Sequence, residues 1–320
     1  MFAFKKELKT LFKETIQTSL ILFKIMIPVS IIVKLLEILD VIDVIGNGLS
    51  PLMQILGLPG QTGLVWATAM ITNIYGGIIV FISLASTQVF SVAEVTILCS
   101  MILIAHSLPV EVTIARKAGV RVWFTLCFRI LSAFIFGFLL HQIFSFFHIL
   151  ENPSVMTWQP VSAQATFESW ILSQLSNYIM IFFIIFCLLT LMRFLKKIGV
   201  IDKINTILEP GLEFLGMSKN AAPLTLVGIT LGISYGGGII INEAQSGDIT
   251  KKDAFLSVSL MGLSHSLIED TLLMMTIGAS LIGILFGRVF FTIIGMILII
   301  YIINKLSKQS FERYFSTSVK

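Results

Sequence analysis

The stretch VIDVIGNGLSP, residues 41–51, is written a second time as VIDKINTILEP, residues 200–210. A shift of 159 positions superimposes them. The same shift lays Gly57 on Gly216, Ser91-Val-Ala-Glu94 on Thr250-Lys-Lys-Asp253, and His106-Ser-Leu on His265-Ser-Leu. Several separate anchors sharing one shift mark an internal duplication, so the chain folds as two copies of one unit. Two further matches leave that register. Tyr75-Gly-Gly meets Tyr235-Gly-Gly after a single-residue insertion, and Arg121-Val-Trp-Phe-Thr meets Arg288-Val-Phe-Phe-Thr at a larger shift, implying about two extra helical turns in the second half.

Hydrophobic residues make up 56% of the chain and charged residues 12%, which excludes an ordinary soluble domain. Several apolar runs are long enough to cross a hydrocarbon core of about 30 Å, which takes about 20 helical residues. They are continuous rather than alternating, which selects helices over barrel strands. The start, MFAFKKELKTLFKET, is basic and amphipathic, and the apolar run after it is too long for a cleaved signal peptide. Cys99, Cys127 and Cys187 lie in apolar runs without C-x-x-C spacing, which predicts small buried side chains rather than disulfides or a zinc site. The net charge of +4 comes mostly from Lys and Arg at segment ends, so no nucleic-acid partner is implied. No G-x-x-x-x-G-K-[ST] loop is present, so no nucleotide cofactor is called for.

Loop charge sets the topology. Basic residues gather at 5–13, at Arg116, Lys117 and Arg121, at 193–203, at Lys251 and Lys252, and at 305–313, while 40–60, the turn near Thr87 and 151–164 have none. The two sets belong on opposite sides. They separate only if 62–84 and 221–245 are broken, re-entrant segments and 17–40, 92–112, 121–147, 168–195, 254–284 and 286–304 are spans. Three crossings per copy invert the second copy relative to the first. The expected fold is therefore an all-α integral membrane protein with two inverted-topology repeats, each of three spanning helices plus a broken re-entrant segment. The expected order is an amphipathic cytoplasmic N-terminal helix (1–16), the first repeat (17–148), an external loop (149–167), the second repeat (168–305) and a cytoplasmic tail (306–320), in a bacterial inner membrane. Arg288 fits this charge pattern poorly. Trp158 and Trp170 flank the cation-free loop, where indoles serve as interfacial anchors, and the thirteen Met residues form no regular cluster and serve packing.

Ser91-x-x-Glu94 and Thr250-x-x-Asp253 are capping boxes at the starts of equivalent helices. Fifteen residues on, about 22 Å along a helix at 1.5 Å per residue, come His106 and His265, near mid-membrane. Glu269, at i+4, shares the face of His265, and Asp270 points about 100° away. Glu111 follows His106 by five, with Pro109 between. Ionisable groups inside a span are costly and face an interior or aqueous cavity, so His106, Glu111, His265, Glu269 and Asp270 are candidates for proton or cation coupling. The competing reading is a structural His–Glu bond between helices. Whether the same groups converge on a metal is a question of geometry.

The broken segments read TNIYGG (residues 72–77) and SYGGGIIINE (residues 234–243). Consecutive glycines permit unwound backbone and close approach to a ligand, or else tight helix packing. With polar neighbours in both copies, they nominate Thr72, Asn73, Tyr75, Gly76, Gly77, Ser234, Tyr235, Gly236, Gly237, Gly238, Asn242 and Glu243 as binding a solute.

At GLSPLMQILGLP with TNIYGGIIVF, and again at ILEPGLEFLGMS with ISYGGGIIINEA, the chain resembles the Gate, or nucleoside-recognition-domain, membrane proteins. That family is similar to the membrane portion of Feo-type iron transporters and, more distantly, to concentrative nucleoside transporters. The resemblance implies paired gates around a central polar path. The chain departs from the Feo-type relatives in lacking a GTPase domain and gate cysteines. The expectation is a secondary transporter or transporter-like gate, not an enzyme. Its partners are the lipid bilayer and a small polar solute, nucleoside-like or another metabolite, with proton or cation coupling. The alternatives are a non-transporting partner subunit or homo-oligomer component, and a divalent-metal transporter or intramembrane metalloprotein.

Overall fold

The computed structural model describes residues 2–39, 41–157 and 167–317. Helices account for its regular structure, and no strand occurs among the described residues. Two isolated bridges join Ser91 to Pro153 and Val120 to Ser316. The first copy runs α1 (Phe2–Ile38), α2 (Val41–Gln54), α3 (Thr62–Ile71), α4 (Ile74–Ala85), α5 (Val92–Ile104), α6 (Leu108–Lys117) and α7 (Val122–Phe147). The second runs α8 (Phe167–Lys197), α9 (Val200–Phe214), α10 (Ala221–Leu231), α11 (Ile233–Ser246), α12 (Lys251–Leu263), α13 (Glu269–Thr276) and α14 (Arg288–Lys305), which a π-helical turn over Ile282–Gly287 extends at its start. A short α15 (Lys308–Tyr314) follows.

Each helix of one copy answers a helix of the other. Both capping boxes form, Ser91 with Glu94 and Thr250 with Asp253, and the Asp253 carboxylate also accepts from the Ser218 amide at 2.8 Å. After α2 and α9 the chain reverses at Gly57 (φ +65°) and Gly216 (φ +78°), a left-handed turn beyond a helix end that glycine adopts without strain.

The register corrects two of the sequence matches. A Cβ on Gly77 would strike Ala69, and one on Gly236 would strike the Gly228 backbone, so Gly77 and Gly236 are equivalent and no residue is inserted between the copies. Arg288 corresponds to Arg129 rather than Arg121. Each lies 23 residues after its own histidine and donates to that histidine's carbonyl, so the second copy has no extra turns.

Five stretches are long and apolar enough to cross a membrane: Lys9–Ile38, Val92–Lys117, Val122–Phe147, Glu168–Lys197 and Ile282–Lys305. The expected sixth span, 254–284, is not among them: α12 stops at Leu263 and α13 begins only at Glu269, a longer form of the interruption between Ile104 and Leu108 in 92–117. The amphipathic start and the first span are instead one continuous helix, α1. Burial sorts the spans into layers. The apolar window of 92–117 is 67% buried, against 17% for that of α8 and 22% for that of α1. The histidine helices α5 and α12 thus form the interior, and α1 and α8 turn apolar faces outward. The outer pair is joined through Ser30 Oγ and Tyr178 OH at 2.5 Å, ring contacts of Phe12 with Phe182 and Phe23 with Tyr178, and an ion pair between Glu14 and Arg193.

The ends of the molecule separate by charge. Arg121 donates to the Ser316 carbonyl, Lys251 pairs with Glu312 at 3.3 Å, and Phe311 and Phe315 pack on Phe255. The start of α5, by contrast, lies against the cation-free segment, with the amides of Val92 and Ala93 donating to the carbonyls of Asn152 and Leu150. Cys99 is buried as expected, whereas Cys127 and Cys187 are exposed on the outer faces of α7 and α8. Trp170 is buried, and Trp158 lies outside the described residues.

Candidate functional site

The interior helices end where their histidines begin. α5 stops at Ile104 and α12 at Leu263, and the chain then passes through Ala105-His106-Ser107 and Ser264-His265-Ser266 in non-helical conformation. Ser107 (φ +48°) and Ser266 (φ +46°) both lie in the left-handed region, which a non-glycine residue occupies only when its surroundings hold it there. The Ser107 amide donates to the Ala69 carbonyl and the Leu267 amide to the Ile229 carbonyl. This corrects the expectation that each histidine rides on a continuous span. It also dissolves the i+4 relation of His265 to Glu269, which is the first residue of a separate helix.

The breaks bring the two histidines together. His106 Nε2 lies 3.2 Å from His265 Nε2. On the far side of each ring, His106 Nδ1 is 2.8 Å from the Ile102 carbonyl and His265 Nδ1 is 2.7 Å from that of Met261. A carbonyl only accepts, so both Nδ1 atoms carry the hydrogen. In the neutral ring each Nε2 is then a bare acceptor, and two such lone pairs face each other.

Carboxylates and guanidiniums close the cluster. Glu111 Oε1 lies 3.7 Å from His106 Nε2 and 3.8 Å from His265 Nε2. The other oxygen of Glu111 pairs with Arg129. By register, the counterpart of Glu111 is Asp270 rather than Glu269. His106, His265 and Asp270 each present a ligand atom within 4.8 Å of the other two. Arg129 donates through Nε to the carbonyls of Ile104 at 2.8 Å and Gly262 at 3.2 Å, and through Nη1 to that of His106 at 3.2 Å, and so ties the copies together. Arg288 Nη2 donates to the His265 carbonyl at 2.8 Å, while its buried Nε and Nη1 have no hydrogen-bond partner among the described residues. Both arginines are 0% exposed, which explains why Arg288 does not follow the loop-charge pattern.

The cluster borders a cavity of about 410 Å³, within the 300–1,000 Å³ range typical of small-molecule sites. Thr72, Asn73, Tyr75, His106, Glu111, His265, Glu269 and Asp270 line it, and α1 closes one wall with Ile21, Leu22 and Ile25. Asn73 caps α4 by accepting from the Gly76 amide at 2.9 Å, and Gly232 (φ +98°) makes the matching break before α11. The breaks of both segments, at Thr72-Asn73 and at Gly232, therefore reach the site.

The glycines of the two Tyr-Gly-Gly runs do not line it. Gly76 and Gly77 lie within α4, and Gly236, Gly237 and Gly238 within α11, so the Tyr-Gly-Gly runs are helical rather than unwound. A Cβ on Gly76 would meet Thr72, and one on Gly237 would meet Ile114, the close packing of small residues between helices. Asn242 is exposed and Glu243 half-buried, both in the last two turns of α11 and apart from the cavity. The side chains of Ser234 and Tyr235 lie outside the described residues.

Sequence reasoning passed over Arg129 and Arg288. The signal was present: each is the one Asp, Glu, Lys or Arg inside its apolar run, and they share the register of the histidines. Ser107 and Ser266 left no comparable trace, because a positive φ at serine has no sequence signature.

Comparison with known proteins agrees with the family resemblance. Residues 19–121 match the family model Gate, described as nucleoside recognition. The chain is 27% identical over 281 residues to the uncharacterized membrane protein YvoD of Bacillus subtilis (strain 168), covering 85% of this chain and 87% of that protein. No solved structure matches.

Proposed function

We propose that the protein is a secondary transporter, or transporter-like gate, that carries a small polar solute through the cavity between its two copies and couples that movement to a cation held by the histidine–carboxylate cluster. One observation carries the reading. Two equivalent His-Ser-Leu breaks, one from each copy, place His106, Glu111, His265 and Asp270 together on one cavity wall. Paired repeats with helices broken at a central polar site are the construction of many secondary transporters. In this reading the copies are inverted. The contact of the α5 start with the cation-free segment, and of the α12 start with the basic tail, supports that orientation, with both termini cytoplasmic and the chain in a bacterial inner membrane.

Thr72, Asn73 and Tyr75 then contact the solute. The description of the matching family model favours a nucleoside-like molecule, and the cavity volume accommodates one. The chain acts as a carrier without covalent chemistry.

The test is thermal unfolding of the purified protein in detergent against nucleosides, nucleobases, dipeptides and organic acids at two pH values. A ligand of the folded state at 100-fold its Kd adds about 2.7 kcal/mol, visible as a shift of the transition. The expected hit weakens in Asn73→Ala and loses its pH dependence in His265→Ala, and it predicts uptake into proteoliposomes. A hit untouched by both substitutions places the solute elsewhere and refutes the assignment.

A further inference from the structure

We propose that His106 Nε2 and His265 Nε2, with the carboxylates of Asp270 and Glu111, form a site for one divalent first-row transition-metal cation where the two copies meet. Taken as the coupling ion, such a cation deepens, and rests on, the transport reading above; its binding is measured apart from transport.

Several observations converge on it. The Nδ1–H of each histidine is committed to a backbone carbonyl, the arrangement by which metal-ligating imidazoles are oriented and their tautomer set. Both free Nε2 lone pairs therefore point at one spot. Metal–nitrogen bonds of about 2.0–2.1 Å hold two imidazole donors roughly 2.9–3.4 Å apart for angles between octahedral and tetrahedral, and the observed Nε2 separation is 3.2 Å. Facing lone pairs at that distance repel unless a cation lies between them.

A third ligand atom, from Asp270, falls within 4.8 Å of both nitrogens. Glu111 stands at 3.7 and 3.8 Å from them, oriented by Arg129. The charged groups facing the cluster are the carboxylates of Glu111, Glu269 and Asp270 and the guanidiniums of Arg129 and Arg288, so carboxyl groups outnumber guanidiniums by one around the donor atoms. Two imidazoles with carboxylate oxygens and no thiolate select borderline cations such as zinc, cobalt, nickel or ferrous iron over magnesium and calcium. The cavity gives such an ion a path in, since His106, His265 and Asp270 all line it.

The experiment uses the full chain, purified in detergent on a tag without histidine, stripped with chelator and titrated with Co²⁺. The expected result is one Co²⁺ per chain, with visible d–d absorption and displacement by Zn²⁺. Affinity falls by more than the roughly 10–100-fold that loss of a mere outer-shell partner costs in His106→Gln, His265→Gln and Asp270→Asn, each checked for a monodisperse folded peak, and is unchanged in His148→Ala, whose side chain is 80% exposed. Absence of saturable Co²⁺ or Zn²⁺ binding overturns the site, as does binding of wild-type strength in both glutamine variants. Metal bound by a protein that moves no solute supports the site and sinks the transport reading. Proton-driven solute uptake by a protein that binds no metal does the reverse.

Discussion

Arg129→Met is the most informative single change. The Arg129 guanidinium is fully buried, pairs with Glu111 and donates to the carbonyls of Ile104, Gly262 and His106. Removing it strands the Glu111 carboxylate in the interior, which costs about 3–5 kcal/mol for a broken buried pair. Three carbonyls also lose a charged donor, at roughly 1.5–3 kcal/mol each when counted alone. These contacts form one network and do not add, so a loss near 5 kcal/mol is expected. Arg288→Met, the equivalent change, removes one hydrogen bond, to His265, and should cost only about 1.5–3 kcal/mol. Replacing both charges in Arg129→Met/Glu111→Leu leaves no orphan charge and should recover most of the loss. Denaturant unfolding in mixed micelles, read by tryptophan fluorescence, measures all three. If Arg129→Met is as stable as Arg288→Met, or the double variant no better than the single, Arg129 is not the brace described here.

The glycines of α11 should divide by what a methyl group meets. Gly236→Ala drives a Cβ into the Gly228 backbone and destabilises, whereas Gly238→Ala, with open space around it, should stabilise by up to about 1 kcal/mol through helix propensity; thermal unfolding of the two reads the difference. Ser266→Gly should be close to neutral and Ser266→Val should cost about 1–3 kcal/mol, since a β-branched residue is forced to the left-handed φ of +46°; equal stability of the two variants would contradict the break. Thr250→Ala should cost about 1 kcal/mol as a lost cap, and Asp253→Ala more, because Asp253 also holds the Ser218 amide; proteolysis of the 216–250 region would report the loosening.

The membrane class, the duplication, both capping boxes and the two interrupted segments were legible in the residues, because each rests on local pattern: apolar run length, a shared shift, a hydroxyl three residues before an acid. That His106 and His265 hold equivalent places in the two copies was legible for the same reason. Their meeting was not, since no sequence period records where two helices end in space. The partner of Glu111 illustrates the limit. Helical spacing nominated Glu269 for His265, but the helix stops at Leu263 and the left-handed Ser266 resets the direction of the chain, so Asp270 takes the place that Glu111 holds in the first copy. The tertiary structure alone turned Gly77 and Gly236 from ligand contacts into packing surfaces, drew Arg129 across to the Gly262 carbonyl of the other copy, and faced two Nε2 atoms across 3.2 Å. Local patterns are written by neighbours along the chain. The site is written by groups 159 residues apart, which only packing in three dimensions brings into contact.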